Sequence, residues 1–139
     1  MAVAGRRAAR RIAVDVLYQA DVTGRAPTEV AADWKAAGRD VPPFARSLIA
    51  GVEEHLPSID LVLERGAEGW SVERMAALDR TILRVAVEEL LHRDDVPPSV
   101  AISEAVEAAT ELSSDESKRF VNGILGRIAR EDARRADRG

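Results

Sequence analysis

The chain has 139 residues, a length suited to one domain or two closely packed half-bundles, which bury about two thirds of the surface the unfolded chain exposes. It contains no Cys, which excludes a disulfide framework and a thiolate metal site. No run of about eighteen apolar residues occurs and no apolar core follows Met1 to Arg11, so neither a membrane span nor a signal peptide is expected and a cytoplasmic protein is. The net charge of −4 argues against a nucleic-acid partner, yet residues 1 to 14 hold Arg6, Arg7, Arg10 and Arg11 and no acid, against 16 basic and 24 acidic groups in the remainder.

Apolar residues recur at helical rather than alternating spacing throughout, so an all-α fold of about seven helices is expected, with no strand. The first helix falls near residues 7 to 22, closed by Gly24 and Pro27. The second covers 28 to 38 and stops before Pro42-Pro43. The third, 43 to 55, carries Phe44, Leu48, Val52 and Leu56 on one stripe and should end at Pro57-Ser58, because proline removes a helical donor and clashes with the preceding turn. A fourth helix follows at 58 to 69, then a short turn near 71 to 77. The fifth occupies 79 to 92 and stops at Asp94 to Pro98. The sixth spans 99 to 112 and the last 114 to 131, its stripe made by Phe120, Val121, Ile124, Leu125 and Ile128. Ser113 followed by Glu116 has capping-box spacing for that last start. Residues 1 to 131 are expected as one domain and 132 to 139 as a polar, disordered tail.

At about 100° per residue, Arg6, Arg7, Arg10 and Arg11 fall within an arc of roughly 140°, while Ala9, Ile12, Ala13, Val16 and Ala20 cluster elsewhere. Tyr18 lies on the same arc, so an aromatic continues a track of guanidinium groups suited to a phosphate backbone. A solvated helix end is the plainer reading. Against it, arginines at a helix N-terminus oppose the macrodipole, and no acid nearby in sequence compensates them. In the last helix Gly123 and Gly126 each cost roughly 1 kcal/mol relative to Ala. Close approach of a neighbouring helix or of a ligand is therefore expected on the face they share with Asn122, flanked by Lys118 and Arg119. Phe120 sits at the stripe's edge, either as core or as a ring open to an unstacked base.

Several segments together resemble the NusB family of bacterial transcription antitermination factors. They are Ala8-Ala9-Arg10-Arg11 leading to Val16-Leu17-Tyr18-Gln19, Asp79-Arg80-Thr81-Ile82-Leu83-Arg84, Asp95-Val96-Pro97-Pro98, Ile102 to Glu107, and Lys118-Arg119-Phe120-Val121-Asn122-Gly123-Ile124-Leu125. The resemblance implies two packed helical bundles, and binding to the boxA element of nascent RNA as a heterodimer with NusE, a small-subunit ribosomal protein, within the transcription elongation complex. Position by position, it implies RNA contacts for Arg6, Arg7, Arg10 and Arg11. It sets Tyr18, Lys118, Phe120 and Asn122 at or beside the RNA surface and Asp79 in the partner-facing region. For Asp79 the N-cap of the fifth helix is an equal reading. The segment from Gly24 to Val41, with Trp34, Lys35 and Arg39, resembles nothing specific in the family.

Catalysis is not expected. His55 and His92 lie in different helices without adjacent ligand spacing, the pairs Glu53-Glu54 and Glu88-Glu89 diverge on a helix, and no glycine loop suited to phosphate appears. No metal and no cofactor follow from these residues. Two other readings stand beside antitermination. One is an RNA-positioning domain, since the same fold resembles the N-terminal domain of a ribosomal RNA cytosine methyltransferase. The other is a structural homodimer that buries the glycine face or the arginine helix.

Overall fold

The computed structural model describes the backbone of residues 2–138 and the side chains of residues 5–132. Among these residues there are six α-helices, one 3-10 turn and no strand. Helix α1 spans Ala2–Thr23 and ends where Gly24 takes φ +70°, a left-handed cap in which the Arg25 amide reaches back to the Ala20 carbonyl at 3.1 Å. Helix α2, Pro27–Ala36, starts on a proline whose missing N–H would have been an orphan there in any case. Its buried Trp34 donates Nε1–H to Gln19 of α1 at 3.0 Å, and Arg39 lies over the indole, 3.4 Å from the ring centre. The segment without family resemblance is thus pinned to α1.

Helix α3 runs unbroken over Pro43–Gly66, so the third and fourth helices read from the sequence are one. Pro57 lies inside it, exposed, which leaves the unbonded carbonyl of Glu53 on the wet side of the helix. The buried stripe passes the proline in register: Leu48, Val52, Ile59 and Leu63 follow spacings of four, seven and four. Packing of that stripe outweighs the local cost of the proline.

A 3-10 turn at Val72–Arg74 leads into α4, Ala77–His92, followed by α5, Pro98–Leu112, and α6, Asp115–Arg138. The last start is capped one residue later than the spacing suggested. The Ser114 hydroxyl accepts the Ser117 amide at 3.1 Å, while Ser113 closes α5 through its amide to the Ala109 carbonyl. The backbone of α6 continues to Arg138, beyond the 131 read from the sequence. The side chains of the expected tail lie outside the described residues from 133 onward.

Helices α1, α2 and α3 pack on one another, as do α4, α5 and α6, and the two bundles join through α3 and α1 against α4 and α3 against α6. One contiguous core results, with Leu48, Ile49, Ile59 and Leu63 of α3, Ile82 and Leu83 of α4, and Ile124 and Leu125 of α6 fully buried. Each such side chain contributes about 1.5–3 kcal/mol. Near the end of α3 a Cβ on Gly66 would come within 2.9 Å of Ile128, so glycine there lets α6 lie against α3.

Candidate nucleic-acid interface

The arginines of α1 meet acids brought from far along the chain. Arg6 reaches Asp95 at 2.6 Å, Arg7 forms a two-pronged pair with Glu104 at 3.2 and 2.8 Å, and Arg11 reaches Glu111 at 3.1 Å. Arg10 is buried at 7% exposure, clasping the buried Glu89 at 2.9 and 2.8 Å with a longer contact to Glu104 at 3.5 Å. The arginines are therefore compensated through space, and the helix end is not left unbalanced as its local sequence suggests. Phe44, in the first turn of α3, lies beneath three guanidinium groups, with Arg6 4.5 Å, Arg93 4.8 Å and Arg10 5.2 Å from its ring centre.

These contacts set the local electrostatics. Hydrogen bonds from Arg93 and Arg6 pull the Asp95 carboxyl down to about 2. The hydrogen bond from Arg7, ahead of the opposing effect of burial, lowers Glu104, and the same bond raises Arg7. The Arg7 side chain still has 55% of its surface in water. Such a surface can exchange a carboxylate for a phosphate at little geometric cost, since a guanidinium fork accepts both.

A second feature lies at the other end of α4. A cleft of about 300 Å³ is lined by Trp70, Arg74, Met75, Asp79, Glu116 and Phe120. Asp79 is buried in the first turn of α4, whose N-cap is Ala76, so the N-cap reading of Asp79 is incorrect. Its Oδ2 accepts the Ser117 hydroxyl at 3.1 Å, and Ser117 in turn accepts the Ser113 hydroxyl at 2.9 Å. The α5–α6 junction is thereby tied to α4. Among the described residues, Asp79 Oδ1 and Arg11 Nη1 are the two buried side-chain atoms without a hydrogen-bond partner. Both belong to residues singled out from the sequence, and buried polar groups are rarely left unpaired.

The predicted residues fall into separate groups. Arg6, Arg7, Arg10 and Arg11 gather at the start of α1, and Tyr18, 40% exposed, lies two turns on. The pairs Arg10–Glu89 and Asp21–Arg80 hold α1 antiparallel to α4. Phe120 and Asp79 share the cleft, about 15 Å along α4 from Glu89 at 1.5 Å per residue. Lys118 and Asn122 are exposed one turn apart on α6, about 160° from Phe120 around the helix. The arginines and these α6 residues sit on different bundles: α1 packs on α2, α3 and α4, and α6 on α3, α4 and α5. Among the described residues, a Cβ at Gly123 would meet nothing within 4 Å and one at Gly126 only the Arg130 side chain of the same helix at 3.4 Å, so close packing by a neighbouring helix does not explain them. Trp70, 46% exposed with the Arg74 guanidinium 5.1 Å from its ring centre, was not singled out from the sequence. A tryptophan outside any apolar stripe was the available signal.

The arrangement is that of an all-α binding protein of two bundles, with an ion-paired arginine cluster and an aromatic cleft at opposite ends of one shared helix. Residues 7–130 match the sequence profile of the NusB family. The transcription antitermination protein NusB of Salinispora arenicola (strain CNS-205) is 47% identical over 128 residues, covering 89% of this chain and 94% of its own. A solved structure of NusB from T. maritima superposes with a TM-score of 0.82 at 36% identity, covering 91% of each chain. A structure of the antitermination factors NusB and NusE in complex with dsRNA gives a TM-score of 0.80 at 25% identity, covering 91% of this chain and 96% of the other. The chain belongs to the NusB family.

Proposed function

We propose that this protein supports transcription antitermination by binding the boxA element of nascent RNA as a heterodimer with NusE, and by tethering that RNA to the elongation complex on ribosomal RNA operons in the cytoplasm. The observation that carries this reading is the likeness, over nine tenths of the chain, to a NusB captured with NusE and RNA. Residues 1 to 131 act as one RNA-binding unit. Arg6, Arg7 and Arg11 exchange Asp95, Glu104 and Glu111 for phosphates, while buried Arg10 contributes by holding α1 on α4. Tyr18 stacks a base along the α1 track, and Phe120, with Trp70 and Arg74 across the cleft, stacks another. Lys118 adds a phosphate contact on the exposed face of α6, where Asn122 hydrogen-bonds a base edge. Asp79 serves the NusE side indirectly, by holding Ser117 and with it the α5–α6 junction.

The test is RNA binding to a single-stranded boxA oligonucleotide across a salt series, with and without NusE. For each phosphate no longer neutralised, the magnitude of the log–log salt slope falls by about 0.7. The double variant Arg6→Ala/Arg7→Ala should bind more weakly and with a shallower slope. Unchanged affinity and slope would sink the reading.

A further inference from the structure

We propose that His55, Glu88 and His92 form a binding site for a divalent transition metal of the zinc class, on the surface where α3 meets α4. Sequence spacing offers no hint of it across the two helices, but the fold brings the three together. One ligand atom from each residue lies within 4.8 Å of the others. Glu88 and His92 are four residues apart on α4 and therefore share a face, and His55 is presented from α3.

The carboxylate is the fixed point. The Glu88 side chain is 4% exposed, with its Oε1 2.9 Å from His55 Nδ1. It fits there because residue 51 is glycine: a Cβ at that position would stand 2.2 Å from Glu88 Oε2. A buried carboxylate requires a cation beside it. His55 Nδ1 meets that carboxylate in the fold, and a metal ion held between the two would supply the counter-charge. Glu54 Oε2 lies 3.2 Å from His55 Nε2. The carboxylates of Glu88 and Glu54 thus face the two ring nitrogens of His55, a negative setting that attracts a divalent ion.

Two imidazoles and one carboxylate, with a fourth position open to water, are a recurring donor set for zinc. Bonds of about 2.0–2.2 Å place tetrahedral donors about 3.3 Å apart, so the widest gap must close by about 1.5 Å. The two rings are stacked, 3.8 Å between centres and 20° between planes, an arrangement in which they cannot both aim a lone pair at one ion. His92 is exposed and reaches the ligating position by rotating out of the stack, whereas Glu88 and His55 need only small adjustment.

The test uses the tag-free full chain titrated with Zn(II) against a chromophoric chelator, and with Co(II) followed by its visible spectrum. One equivalent should bind, with the absorption of four- or five-coordinate Co(II). His55→Ala and His92→Ala should each weaken Zn(II) binding by more than the ~10–100-fold that follows loss of an outer hydrogen-bond partner of a metal ligand. His92→Ala alters an exposed side chain and decides the matter even where a change at Glu88 impairs folding. No stoichiometric binding to the parent chain, or an unchanged Kd in either histidine variant, overturns the site.

Discussion

Arg10 of α1 and Glu89 of α4 form a two-pronged pair, 2.8 Å at its shortest, with 7% and 1% of their surfaces exposed. Its neighbour Arg7, on the same helix face, pairs with Glu104 while more than half of its side chain stays in water. Two arginines three residues apart thus do different work. Removing one partner of a buried pair strands the other charge and costs about 3–5 kcal/mol, whereas an exposed pair is worth about 0–1 kcal/mol. Arg10→Ala should lower the unfolding free energy by that larger amount, read as a lower denaturation midpoint at constant denaturant slope, and Arg7→Ala should barely move the midpoint. Replacing both members, as Arg10→Met with Glu89→Leu, should recover most of the loss. Equal effects of the two single variants would show that the pair does not hold α1 to α4.

Glu104 competes with RNA in the proposed mode of binding, since it holds Arg7 and touches Arg10. Glu104→Gln keeps its shape and removes its charge. RNA affinity should rise by about two- to fivefold, the equivalent of an exposed ion pair no longer broken on binding. Anisotropy titrations at fixed salt read this directly. Weaker binding with the fold intact would mean that Glu104 orients Arg7 for RNA instead of competing for it.

Acid should loosen the arginine end. Asp95, at about 2 in the folded chain, and Glu104, also lowered, both release protons more readily folded than unfolded. Depressed carboxyl values contribute stability that is fully present above the unfolded values, near 4, and is lost as pH falls through the folded ones. The Asp95→Asn variant should therefore be less stable than the parent at neutral pH, and the gap should narrow between about pH 4 and pH 2. Unfolding curves of both proteins across that range check it. A gap independent of pH would assign the effect of Asp95 to packing rather than charge.

Helical spacing and proline stops revealed the all-α class and most element starts, because those signals are local. The acids that meet the α1 arginines were not legible, since Asp95, Glu104 and Glu111 lie some ninety or more positions away and nothing in their own spacing points at α1. Glu88 and Glu89 illustrate the same limit. Their divergence on a helix was readable, but not that one would meet Arg10 and the other His55. The cleft that Asp79 and Phe120 share was not legible, since the resemblance set one toward the partner and the other at the RNA surface, and the contribution of Trp70 needed the fold.

Pro57 is where a local rule gave way to a longer pattern, and it supplies a stability test. The seven-residue step from Val52 to Ile59 keeps the buried stripe continuous, so the helix persists although the proline cannot donate to Glu53. Pro57→Ala restores that hydrogen bond. The intrinsic helix preference favours alanine by about 3 kcal/mol, offset by about 0.4–1 kcal/mol of added freedom in the unfolded chain. A net gain of about 2 kcal/mol in unfolding free energy is expected, with the Glu53 carboxylate still accepting from Thr28 at 3.0 Å. Denaturant unfolding of the variant measures it. A loss instead would mean that the proline sets a bend needed for Ile59 and Leu63 to meet the rest of the core, and that the stripe's register alone does not place them.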